Sequence, residues 1–299
     1  MKKIILVVVA LVLAGLVWYL FIKPYDYLVT FNAKTVPGTI NQSIKLWGTT
    51  LKDSRLLSQE GFTHLEQNIT FSDSTYLYQW DIIPLTDSTS KVKVYVKDLD
   101  HSLKNKIAIP FLNTNFEKRT ISTVKDFHEK LNEHISKFRV KIIGKNELRS
   151  TYCAYVTIKT SQFGKAQGMM NDFPLLNTIL ADNGIKLNGR PFLEVTEWDK
   201  ETDSIQFDFC YPIIKSDSLP VHPDLKYKQF NSRNALMAIY NGNYITSDRA
   251  WYALLDYARK NNIDITELPV EVFHNNPNMG GDALSWKTEV YMPLKNADD

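Results

Sequence analysis

Apolar positions along this chain follow three rules in succession. From Ile4 to Ile22 there are nineteen residues without a charge, flanked by Lys2, Lys3 and Lys23. A helix needs about 20 apolar residues to cross hydrocarbon, and Trp18 and Tyr19 stand where interfacial anchors stand. A secretory signal has an apolar stretch of roughly 7–15 residues that ends at small residues, which this run does not. The pattern predicts an uncleaved anchor over residues 1–24, spanning the membrane through residues 4–22. The preceding lysines put Met1 in the cytoplasm and the remaining chain outside it, on the inner membrane of a bacterial envelope. No Cys follows the run, which excludes a lipoprotein anchor.

From Tyr25 the rule changes to alternation with helical interludes. Tyr25–Ala33 alternates as a strand, and Ile40, Ile44 and Trp47 recur at helical spacing after Pro37. Phe62–Phe71, Thr75–Pro84 and Val92–Leu99 read as three strands between Ser/Asp/Thr turns. Ile121, Val124, Leu131, Ile135 and Phe138 make the apolar stripe of a long helix over 116–138. The order strand, helix, meander, long helix resembles the START-like helix-grip fold of SRPBCC (polyketide cyclase/dehydrase-like) proteins. Thr35-Val-Pro-Gly-Thr-Ile40 and Trp47 carry the resemblance, which covers residues 25–143. It implies an antiparallel sheet gripped by helices; the meander is short for a full lipid-holding cavity.

Residues 150–296 obey a third rule, because they repeat. Strand Tyr152–Lys159, helix Lys165–Asp182 and strands Arg190–Trp198 and Ser204–Ile213 are followed by strand Ala235–Tyr240, helix Ser247–Asn261 and strands Leu268–Phe273 and Ser285–Leu294. Setting Pro212 beside Pro293 aligns Asp208 with Glu289, and Glu194-Val195 can be set beside Glu271-Val272. Two βαββ modules predict a pseudo-two-fold pair with both helices on one antiparallel sheet. The fold class is thus α+β throughout. Ser247 reads as a helix cap, and Pro174 predicts a kink or a fresh start with Asp172 as cap.

Each half of the last thirty residues places a carboxylate two positions from a ring: Glu271 with Phe273, and Glu289 with Tyr291. Residues two apart share a strand face. Burying a carboxylate costs several kcal/mol unless a partner is supplied, so such a pair suggests a pocket for a cation, a donor or a proton. Two solvated strand faces would show the same spacing.

Composition narrows the reading. Thirty-five Lys and Arg against 33 Asp and Glu give a net charge of +2 without a basic cluster, which excludes a nucleic-acid footprint. Cys153 and Cys210 sit in strand-like runs where buried free thiols are the commoner outcome, an oxidising compartment would also permit a bridge, and neither has a neighbour at metal-ligand spacing. The six histidines show no partner at useful spacing, and His128 and His134 fall on different helix faces, exposed. No phosphate loop or nucleophile elbow is present, and neither metal nor cofactor is expected.

Tyr240-Asn-Gly-Asn-Tyr244, Trp251, Pro269-Val-Glu-Val-Phe273-His-Asn-Asn-Pro277 and Trp286-Lys-Thr-Glu-Val-Tyr-Met-Pro293 together resemble the GyrI-like small-molecule-binding domain, the effector-binding part of AraC- and MerR-type regulators. The resemblance implies an aromatic pocket for hydrophobic, often cationic compounds around buried glutamate. Glu271, Phe273, Glu289 and Tyr291 fall on its strands. Trp251 and Tyr152 are added as candidate walls, and plain core aromatics fit the same two positions at least as well. Phe273 stands where many relatives offer Tyr. No helix-turn-helix precedes the domain, so a regulator's function is not carried over. The expectation is a membrane-anchored protein that captures such compounds. The alternatives are a hydrolase using Glu289 and a lipid-binding or envelope scaffold.

Overall fold

A computed structural model describes residues 2–295 of the chain. These form six α-helices and two antiparallel sheets and divide after Glu133 into two compact units.

In the first unit, α1 (Lys2–Val17) continues into a π-helical turn, Trp18–Ile22, and neither buries a residue. Lys2–Ile22 has a mean hydropathy of 2.9 and is, among the described residues, the one helix long and apolar enough to cross a membrane. There follow β1 (Tyr27–Ala33), α2 (Pro37–Thr50), β2 (Ser54–Glu60), β3 (His64–Thr70), β4 (Thr75–Thr86), β5 (Thr89–Asp98), α3 (Ser102–Ala108) and α4 (Asn115–Ser136). The sheet order is β1-β5-β4-β3-β2. Pro37 opens α2 in its first turn, where a missing N–H leaves no hydrogen bond unmade. Alternation turns Tyr76, Tyr78, Trp80 and Ile82 inward from β4, and α4 lays Phe116, Val124, Phe127 and Leu131 over the core. Trp47, Trp80 and Phe127 meet edge to face, and the Trp47 indole N–H donates to Asp126 Oδ2 at 2.8 Å. The pattern predicted neither β2, which has no buried face, nor α3, which buries polar residues instead of apolar ones.

The second unit contains β6 (Phe138–Leu148), β7 (Thr151–Ser161), α5 (Lys165–Asp182), β8 (Phe192–Asp199), β9 (Ser204–Pro212), β10 (Lys226–Phe230), β11 (Arg233–Gly242), α6 (Arg249–Lys260), β12 (Val270–Phe273) and β13 (Lys287–Pro293). The boundary expected at residue 143 falls inside β6, which pairs with β11 along its length and so belongs to the second sheet. The long helix ends at Ser136 rather than Phe138. Pro174 lies inside α5, which runs on without a fresh start. Ser247 is not the cap of α6; Asp248 holds that position.

The eight-stranded sheet runs β10-β7-β9-β8-β12-β13-β11-β6. Chain connectivity forces it to curl. β10 and β11 stand six places apart, about 29 Å in a flat sheet at ~4.8 Å per strand. Yet only Asn231 and Ser232 join them, and three Cα steps reach at most about 11 Å. Arg149 and Ser150 make an equally short link between β6 and β7, at opposite sides of the same sheet. The contacts fit a curl: the rings of Phe192 on β8 and Phe230 on β10 lie 5.0 Å apart although two strands separate them.

The two faces therefore differ. On the convex face, α5 and α6 pack Met169, Leu176, Leu180, Ala250, Trp251 and Leu254 against the sheet. The concave face holds a second core built from strands alone, including Cys153, Phe192, Cys210, Phe230, Met237, Val270 and Tyr291. Both cysteines are free, buried thiols, and burial raises that of Cys210.

Candidate functional site

Register decides where the expected site residues point. In the β12–β13 pair, Glu271 stands opposite Val290 and Phe273 opposite Thr288, whereas Val272 stands opposite Glu289 and Val270 opposite Tyr291. Directly opposed residues share a face, so the sheet separates the two acid–ring pairs. Glu271 and Phe273 point to the helices; Glu289 and Tyr291 point into the concavity. Trp251 and Tyr152 pack with the helix-side core. The six residues expected to form one pocket thus fall four to one side and two to the other.

On the helix side, Glu271 is fully buried and fully engaged. Lys165 Nζ donates to Glu271 Oε1 at 2.7 Å, the Trp251 indole N–H to the same oxygen at 2.6 Å, and Ser247 Oγ to Oε2 at 2.8 Å. Lys165 also donates to Ser247 Oγ at 2.7 Å and sits 4.6 Å from the centre of the Trp251 ring. This explains why Ser247 does not cap α6: its hydroxyl serves Glu271. Burial raises the Glu271 pKa and the Lys165 ammonium opposes that rise, leaving it above the ordinary value. The group is a structural ion pair with both carboxylate oxygens engaged by protein donors.

On the concave side the chemistry is more open. The Glu289 side chain is 20% exposed. Tyr291 Oη donates to Glu289 Oε2 at 3.1 Å, Lys287 Nζ to Oε1 at 2.8 Å, and His274 Nε2 lies 3.1 Å from Oε1. Burial alone would raise the Glu289 pKa; Lys287 and His274 outweigh it and hold the carboxylate below its ordinary value. Burial pushes His274 down, so it is neutral at neutral pH. Val272 and Ile239 stand directly opposite Glu289, and Val270 and Met237 opposite Tyr291, giving an apolar floor.

Across the same face, Glu194 and Asp208 stand opposite one another. Lys228 Nζ donates to Glu194 at 2.6 Å and also to Asp208, and Arg233 donates to Glu194. Glu194, Lys228, Phe230 and Arg233 line a recess of about 380 Å³ at the β10–β11 turn. Register also corrects the internal alignment: with Asp208 set beside Glu289, Glu194 falls beside Val272, not Glu271.

Sequence spacing missed every cationic member of these clusters. Lys165 lies 106 residues from Glu271, and Lys228 lies 34 from Glu194. Lys287, two residues from Glu289, was within reach of the alternation rule. Three histidines also have partners that spacing does not reveal. His274 faces Glu289, and His64 Nδ1 lies 2.7 Å from Asp81 Oδ1. His134 accepts from Arg249 Nε at 2.9 Å, and burial with the Arg249 guanidinium pushes it down to about 4.

The curled sheet is thus backed by helices on one face and presents convergent polar groups over a strand-built apolar core on the other. Residues 159–295 match the family model of the GyrI-like small molecule binding domain, and the second unit carries that domain. No curated protein matches the sequence. Among solved structures, the EcmrR C-terminal domain is 15% identical over 54% of this chain and 99% of its own, with a TM-score of 0.44. SAV2435 bound to tetraphenylphosphonium is 14% identical over 54% and 95%, at 0.33. A hydrolase from Listeria innocua is 9% identical over 51% and 92%, at 0.34.

Proposed function

We propose that this is a membrane-anchored protein whose GyrI-like domain captures hydrophobic cations on the concave face of its sheet, with Glu289 as the receiving carboxylate. One observation carries the choice: Glu289 is an ionised, partly exposed acid beside Tyr291, flanked by the apolar Val272 and Ile239. A delocalised cation loses little hydration on reaching such a site, and the Tyr291 ring adds cation–π contact of roughly 0.5–2 kcal/mol.

Glu194 and Asp208 suit this role less, because Lys228 and Arg233 already engage them and flank the recess. Among the described residues, Lys287 is the charged partner of Glu289 at neutral pH, on a side chain 36% exposed that can turn to water. A pKa held low favours charge recognition over proton abstraction, so nothing in the geometry favours the hydrolase reading. The strand order supports two related βαββ halves meeting at β8 and β12. The strand, helix, meander and helix of the first unit support a START-like domain. The apolar rod Lys2–Ile22 supports the anchor, and Lys2 and Lys3 ahead of it support an orientation with the chain after the rod outside the cytoplasm.

A pair of probes of equal shape and opposite charge tests the ligand class. The full chain in detergent is titrated with tetraphenylphosphonium and with tetraphenylborate, each corrected for partition into empty micelles. The cation should bind at least about tenfold more tightly, since each tenfold is ~1.4 kcal/mol. Equal affinities, or preference for the borate, reject cation capture.

A further inference from the structure

Helix α3 is turned inside out for a protein surrounded by water. It buries Asn105 and Lys106, while Leu103 and Ile107 on its other side and Phe111 and Leu112 just beyond it stand exposed, Phe111 at 83%. Leu103 and Ile107 are spaced four apart on α3 and share a side; Phe111 and Leu112 follow in the turn after it, where the Leu112 N–H donates to the Ala108 carbonyl at 2.9 Å. The inward polar groups lock this orientation. Asn105 Nδ2 donates to Asp98 Oδ2 at 2.8 Å, and Lys106 Nζ donates to the Lys23 carbonyl at 2.6 Å and lies 3.7 Å from Asp26 Oδ1. Rolling α3 over to hide its leucines would leave those groups buried without partners, a costly exchange.

A second observation says what covers the apolar side. The Tyr19 hydroxyl donates to the Lys106 carbonyl at 3.2 Å. Together with the Lys106–Lys23 contact, this fastens α3 to the last turn of the apolar rod. The exposed patch is thus held where the rod ends, at Trp18 and Tyr19, the residue types that sit at headgroup depth. Exposed Lys104 adds a cation on the same helix.

We propose that α3 and the turn after it dock into the headgroup region of the bilayer that α1 spans, with a phospholipid surface as the partner. Leu103, Ile107, Phe111 and Leu112 enter the acyl boundary as the apolar side of an interfacial helix does. The first unit then lies fixed against the membrane instead of swinging on a tether. This inference rests on the membrane-anchor reading.

The test uses nitroxide labels on the full chain in vesicles of phosphatidylcholine and phosphatidylglycerol, placed singly through Ala10→Cys, Leu103→Cys, Phe111→Cys and Ser88→Cys. Cys153 and Cys210 are fully buried and stay unlabelled. Ser88 precedes β5 at the end far from α3 and serves as the aqueous reference. Labels at 10, 103 and 111 should collide with oxygen in preference to a water-soluble nickel chelate, with an oxygen-to-nickel ratio about tenfold that at 88. If 10 is lipidic while 103 and 111 match 88, docking is overturned and the anchor stands. If 10 also matches 88, the anchor reading fails and docking fails with it.

Discussion

Lys165→Met should cost the second unit about 3–5 kcal/mol of stability, the usual consequence of leaving a buried charge without its partner. The Glu271 carboxylate would keep only the Trp251 and Ser247 donors in a site closed to water. Its pKa, already raised by burial, would rise further and the group would fold protonated. Glu271→Gln should be similarly damaging, since it strands the Lys165 ammonium. The double variant Lys165→Met/Glu271→Gln should recover a large part of the loss, because neither charge then remains. Denaturant unfolding of the four proteins gives the coupling directly. A loss below about 1 kcal/mol for Lys165→Met would mean that Glu271 does not depend on this pair and can serve a ligand instead.

Glu289→Gln should weaken tetraphenylphosphonium binding at least tenfold while leaving thermal stability nearly unchanged. Lys287→Met should do the opposite, tightening binding several-fold, because the resident cation that shares Glu289 Oε1 at 2.8 Å is gone. The pH profile follows from the same carboxylate. Its pKa lies below the ordinary value, so the charged, binding form persists through neutral pH. Affinity should therefore fall only as the solution is acidified through the carboxylate range, where Glu289 takes up a proton. Calorimetric titration across pH checks all three; an unaltered affinity in both variants would remove Glu289 from the site.

Much of the architecture could be read from periodicity. The uncharged run before Lys23, the stripe of α6 and the two βαββ strings all rest on local spacing, and the structure has elements at each place. Faces could not be read that way. Alternation says that Glu271 shares a side with Phe273 and Glu289 with Tyr291, but not which side each strand presents. That depends on the β12–β13 register, which opposes Val272 to Glu289 and divides the two acids. The curl of the sheet escaped for a related reason. Two-residue links such as Asn231-Ser232 bend a sheet only if the strands they join are far apart in its order, and sequence does not state that order. β10 and β2 are short or exposed edge strands with little apolar signal, and α3 buries the residues that a helix ordinarily exposes.

That a ligand enters the concave face and not the helix face is tested most directly by locating one. Tetraphenylarsonium has the shape and charge of the phosphonium probe and carries an anomalous scatterer. In crystals grown with it, the arsenic peak should lie inside the curled sheet, with a phenyl ring against Tyr291 and the Glu289 carboxylate facing the cation. A peak beside Glu271 among α5 and α6, with Lys165 displaced, would contradict the assignment.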